Sequence, residues 1–234
     1  MEKKVIGILG GMGTLATAHF FNVLTEKVKA ENDQDFPRII IDNNPNIPDR
    51  TTAIIGKGNS PVEEIVKTLK NLQNAGAKLI AMPCISAHYY FDEITRHCDV
   101  QMINMIEETY KVYSKEIYGK KVGLLATTGT VKAKTFLRFF PEEKVFVPDD
   151  YIQENMVMEA IYGEKGIKVG ESSYPKKLLI QSAEKLINQG VEAIIAGCTE
   201  VSVILKEDDL SVHYLDPIVI LAESIILKAG YQLK

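Results

Sequence analysis

No run of about 18 consecutive apolar residues occurs in the chain, so no membrane-spanning helix is expected. No block of lysine and arginine stands out either. The net charge is −4 at pH 7, which argues against the basic face that a nucleic-acid partner needs. The opening stretch, MEKKVIGILGGMGTLA, starts basic, but its apolar run is short and broken by glycines, unlike a secretory signal. Cysteine is scarce, with only Cys84, Cys98 and Cys198, and neither Cys-x-x-Cys nor His-x-x-x-His spacing occurs. A metal site therefore has no support, and the thiols are expected to be free in a reducing cytoplasm.

What is present is an ordinary globular composition, 46% hydrophobic and 25% charged over 234 residues, enough for one large domain or two smaller ones. Strand-like runs alternate with helical spacing. KVIGILG (4–10) is followed by a helical pattern over 15–31, and RIIIDNN (38–44) leads through a Pro-rich loop into a helix over 62–76. KLIAMPC (78–84), a second helical start and VQMINM (100–105) come next. This alternation predicts an α/β fold of mainly parallel sheets flanked by helices, with ligands gathered at the strands' carboxyl ends.

The chain also repeats itself. KKVIGILGGMGTLATAHFF (3–21) aligns with KKVGLLATTGTVKAKTFL (120–137), and AGAKLIAMPCISAH (75–88) with QGVEAIIAGCTEVS (189–202). Gly7 and Gly123 are 116 residues apart, and Cys84 and Cys198 are 114 apart. Two pseudosymmetric α/β domains are expected: residues 1–116 plus 217–234, the tail packing back on the first half, and residues 117–216. Equivalent loops would then face each other across a cleft, with Cys84 and Cys198 flanking one ligand.

A single buried cysteine usually only packs. Two at the same point of a repeat, each directly after a strand, are expected to do chemistry. Ser86 and Thr199 are candidates to cap helices whose N-termini would favour the thiolates. Two facing thiols suit a nearly symmetric reaction, in which one face of a carbon loses a proton and the other gains one. Cys98 has no counterpart and reads as structural.

GGMGTLA (10–16) has the G-x-G-x-x-A form, and Asp42 ends the next strand, so a nicotinamide-binding turn is an alternative; an anion-binding turn is another. Arg50, beside Asp49 in NNPNIPDRTT (43–52), is suited to a carboxylate, and Lys165 or Lys168 in GEKGIKVG (163–170) offers a second cation. His88, four residues after Cys84, either tunes the thiol or serves structure.

GILGGMG, NNPNIPDRT, MPC-x-[ST]-AH, LLATTGT and AGCTEVS together resemble the aspartate/glutamate racemase family, closest to its aspartate-specific members, over essentially the whole chain. The resemblance implies a cofactor-independent amino-acid racemase of D-amino-acid metabolism, a cytoplasmic homodimer acting on a free small-molecule substrate in a cleft between two domains. Carried over by position, Cys84 and Cys198 match the acid/base cysteines, Arg50 the arginine holding a substrate carboxylate, and Lys168 the second carboxylate binder. Met12, Gly13, Asp49, Ser86 and Thr199 fall in the loops expected around substrate. Two residues depart from the pattern: Ile85 stands where asparagine is usual, and Thr14 where proline is common. Ile85 bears on the substrate range, so a racemase of another amino acid, a related carbanion reaction or a non-catalytic binding protein are the alternatives.

Overall fold

The computed structural model describes residues 3–234. Eight strands form two four-stranded parallel sheets. The first contains β1 (Ile6–Gly10), β2 (Ile39–Asn43), β3 (Leu79–Ala81) and β4 (Gln101–Met102), in the order β2-β1-β3-β4. The second contains β5 (Val122–Ala126), β6 (Val145–Phe146), β7 (Ala193–Gly197) and β8 (His213–Leu215), in the order β6-β5-β7-β8. Ile6 pairs with Leu79 and Val122 with Ala193, so the two sequence echoes are the central strand pairs of the two sheets. The α/β reading with two parallel sheets is correct.

Two strands are shorter than the sequence suggests. β3 stops at Ala81 because Pro83 has no N–H to continue a ladder. β4 is only Gln101–Met102, since Asn104 turns the chain into the helix Met105–Glu116, its side chain accepting from Ile106 and Glu107 N–H.

Helices cover both faces of each sheet, and strand side chains divide between cores with a period of two. Ile6, Ile8, Leu79 and Ala81 join Val122, Leu124, Ala193 and Ile195 in one core shared by the two halves. Leu9, Ile80 and Met82 face a core confined to the first half, and Leu125, Ile194 and Ala196 one confined to the second. Each fully buried aliphatic side chain contributes about 1.5–3 kcal/mol, so the shared core fixes the two sheets against each other. The helix Pro217–Lys228 packs against both Met105–Glu116 and Thr14–Lys27. Glu108 Oε2 accepts from Lys228 Nζ at 2.8 Å and Ser224 Oγ at 2.7 Å across that contact. Among the described residues, no helix is long and apolar enough to cross a membrane.

Candidate active site

The four central strands all end at one small cavity. Met12 follows β1, Cys84 follows β3, Thr127 and Thr130 follow β5, and Cys198 follows β7; all five line it. Arg50, Ile85, Ser86, Tyr162, Lys168, Gly197, Thr199 and Glu200 complete the lining. This is where parallel sheets gather ligand groups, because the loops leave the strands there.

On the first-half side, Cys84 is 3% exposed, its N–H donating to Met82 O at 2.8 Å. Ser86 Oγ lies 3.8 Å from Cys84 Sγ. His88 sits behind the loop. Its Nε2 accepts the Met105 N–H at 3.1 Å, so its Nδ1 carries the hydrogen and donates to Cys84 O at 2.8 Å. Complete burial lowers the His88 pKa to about 4, keeping the ring neutral. The segment after Cys84 is a 3₁₀ turn, Ser86–Tyr90, and Ser86 makes no cap bond. The expected helical start is there, but Ser86 lies within its first turn and does not cap it, since Ile85 before it is already helical in backbone.

On the other side, Cys198 Sγ donates to Glu200 Oε2 at 3.0 Å. Lys168 Nζ donates to the other oxygen of Glu200 at 2.8 Å, and Thr199 Oγ1 lies 3.3 Å from Oε2. Burial, and then the Glu200 charge, push the Cys198 thiol well above its ordinary pKa. Burial opposes ionisation of Glu200, but the Lys168 ammonium outweighs it and holds the carboxyl below its usual range. Burial opposes the charge on Lys168 in turn, and Glu200 restores it. Thr199 does not cap the six-residue helix Thr199–Ile204, because its hydroxyl turns to Glu200 instead. The expected lowering of this thiol's pKa at a helix N-terminus is therefore reversed.

Arg50 is 6% exposed and anchored by its own loop, Nη1 donating to Ile47 O at 3.2 Å and Pro48 O at 3.0 Å. Burial opposes its charge, and Cys84 and then Asp49 favour it. Arg50 Nε is buried without a partner. Asp49 lies outside the cavity lining. It caps the helix Arg50–Ile54 through Thr52 N–H and accepts from the Tyr162 hydroxyl at 3.0 Å, a contact joining the two halves. Burial works against the Asp49 carboxylate, but these hydrogen bonds hold its pKa below the usual value. Lys168 lies 5.1 Å above the Tyr162 ring, whereas Lys165 is exposed and outside the lining. Ile85 is 1% exposed and packed into the shared core, with one edge on the cavity.

Gly13 stands at the rim. A Cβ placed on it would lie 3.3 Å from Glu200 Oε1 and 3.6 Å from Lys168 Nζ. Those side chains fill the space a pyrophosphate would need at the start of the helix Thr14–Lys27. Asp42 is engaged by Asn71 Nδ2 at 3.1 Å. The crowding at Gly13 stands against the dinucleotide alternative. Among the described residues, no cluster of three His, Cys, Asp or Glu side chains is placed to hold a metal.

Sequence reasoning missed Glu200, Tyr162, Thr127 and Thr130. The repeat carried a signal for two of them, since Thr127 and Thr130 stand 116 residues after Gly11 and Thr14. Glu200 lies inside the quoted AGCTEVS, but nothing local says that its side chain turns back to the thiol.

The profile of the Asp/Glu/hydantoin racemase family matches residues 9–225. The aspartate racemase of Picrophilus torridus superposes with a TM-score of 0.87 at 32% identity, covering 99% of this chain and 96% of that one. An aspartate racemase homologue from Pyrococcus horikoshii OT3 superposes at 0.73 with 25% identity, over 97% and 99% of the two chains. The broad specificity amino-acid racemase RacX of Bacillus subtilis (strain 168) is 27% identical over 95% of this chain and 96% of its own. The chain belongs to the Asp/Glu/hydantoin racemase family. It is an amino-acid racemase, an isomerase.

Proposed function

We propose that the chain interconverts L- and D-aspartate, with glutamate as the next candidate, by a two-base reaction of Cys84 and Cys198 that needs no pyridoxal phosphate. The observation that carries this reading is that two thiols from corresponding loops line one cavity with Arg50 and Lys168. One sulfur, as thiolate, takes the α-hydrogen from one face of the substrate. The other, as thiol, delivers a proton to the opposite face, and the roles exchange in the reverse direction. The obstacle is negative charge developing beside a carboxylate, and fixed cations in a nearly water-free cavity oppose it. The buried, unpartnered Arg50 Nε supports its assignment as a carboxylate clamp.

Lys168 already paired with Glu200 favours a second reading, in which Arg50 alone holds the α-carboxylate and the side chain of the substrate is neutral. Incubation with L-aspartate, L-glutamate and a panel of neutral L-amino acids in D₂O separates the two, read as α-deuteration and formation of the D-enantiomer without added cofactor. Aspartate as the best substrate supports the first reading, and preference for neutral amino acids the second. Absence of exchange across the panel would sink both. Family likeness further supports a cytoplasmic homodimer, which sedimentation of the full chain checks.

A further inference from the structure

We propose that the wide helical turn Gln153–Met158 is a positioning device for the racemase cavity. Its side chains clamp Thr128 and so fix the stretch of cavity wall that Thr127 and Thr130 contribute. This rests on the chain's being an amino-acid racemase, and not on which amino acid it prefers or which group moves the proton.

The turn is a π-helix set between Asp150–Ile152 and Glu159–Tyr162 in one continuous helical run. Its residues account for its width. Ile152 and Val157 are both buried, and Gln153 and Met158 both bond to Thr128; each pair is five residues apart. On an α-helix of 3.6 residues per turn, residues so spaced would stand about 140° apart. A turn bonded from i to i+5 brings them one above the other, and such turns are frequent at functional sites.

Three groups where the chain leaves β5 are taken up by this turn. Ala126 O accepts from Gln153 Nε2 at 2.9 Å. Thr128 Oγ1 donates to Glu154 Oε1 at 2.7 Å and accepts from Gln153 Nε2 at 3.3 Å. Thr128 N–H donates to Met158 Sδ at 3.3 Å, a weak acceptor. Thr128 itself lies outside the cavity lining, so the clamp acts through its neighbours. Thr127 caps the helix Thr128–Lys132 by accepting the Thr130 N–H at 3.3 Å, and the two hydroxyl oxygens are 3.2 Å apart. Thr127 and Thr130 both line the cavity. Glu154 is exposed, yet it holds the buried Thr128 side chain by the shortest of these bonds. Its removal therefore loosens the clamp without opening the core.

Four variants of the full chain test this: Glu154→Ala, Glu154→Gln, Thr128→Val, and Glu154→Ala combined with Thr128→Val. Glu154→Ala is expected to lower kcat/KM about tenfold on the amino acid that the wild type racemises fastest. Its melting point should stay within about 2 °C of the wild type, as for other surface substitutions. Glu154→Gln keeps an acceptor for the Thr128 hydroxyl and should return to within about threefold of wild-type kcat/KM. The double variant should lose no more than Thr128→Val alone, because Glu154 acts through Thr128. Wild-type kinetics in Glu154→Ala, a Gln variant as slow as the Ala variant, or additive losses would overturn the proposal. Amide hydrogen exchange over residues 127–132 of the ligand-free protein reads the clamp without turnover. It should run about tenfold faster in Glu154→Ala and near the wild-type rate in Glu154→Gln. Unchanged exchange in Glu154→Ala also overturns the proposal. Failure of the racemase reading shows itself separately, as a wild type without turnover and with this exchange pattern intact.

Discussion

His88 holds Cys84 by its carbonyl and not by its thiol, with Nδ1 2.8 Å from Cys84 O and Nε2 engaged by Met105 N–H. One neutral ring thus ties the loop carrying Cys84 to the start of the helix Met105–Glu116. The His88 pKa falls from 6.5 to about 4 on folding, so between those values the unfolded chain binds the extra proton. Stability is complete above about pH 6.5 and declines as pH falls toward 4, by about 3 kcal/mol from this residue alone. His88→Gln is expected to flatten that decline while lowering stability near neutrality by about 1–3 kcal/mol. Urea unfolding at several pH values checks it, and an unchanged slope in the variant would contradict the assignment.

Lys168 and Glu200 are a charge pair whose members do not fail alike. Lys168→Met leaves Glu200, 4% exposed, without its counter-charge, and a loss of about 3 kcal/mol is expected. Adding Glu200→Gln to Lys168→Met should recover most of that stability without recovering racemisation. A double-mutant cycle with additive stabilities would show that the two side chains do not act on each other.

Closure of the cavity depends on Gly129. A Cβ there would sit 2.9 Å from Thr51 Cα, on the helix that carries Arg50. Gly129→Ala must push that helix away, and displacement of a substrate clamp by a fraction of an ångström costs about tenfold or more in kcat/KM. Steady-state kinetics with a thermal melt separates the outcomes: a large kinetic loss with a small melting shift supports closure, and unaltered kinetics refutes it.

Ile85 packs in the shared core as well as touching the cavity. Restoring the family's asparagine would bury an amide, at about 1–3 kcal/mol for its unmet hydrogen bonds. Ile85→Asn should therefore melt several degrees lower, whatever it does to substrate range. A melting point at or above the wild type would mean that the amide finds partners in the cavity.

Much was legible from the residues. Apolar runs stopped by glycine and proline located the strands, and the echo of Cys84 in Cys198 fixed two related sheets with one thiol at each central strand end. These features are local, or repeat locally, so the chain carries them in its own order. Only the tertiary structure decided how the two thiols differ. Lys168 lies 32 residues before Glu200, and their contact at 2.8 Å exists only once the second sheet and its loops have folded together. The same holds for Tyr162 on Asp49, 113 residues apart, and for His88 on Met105 N–H. Spacing along a chain can show that two cysteines correspond. Their protonation is set by which charges lie within a few ångströms in a low-dielectric cavity, and that is a property of the packed fold.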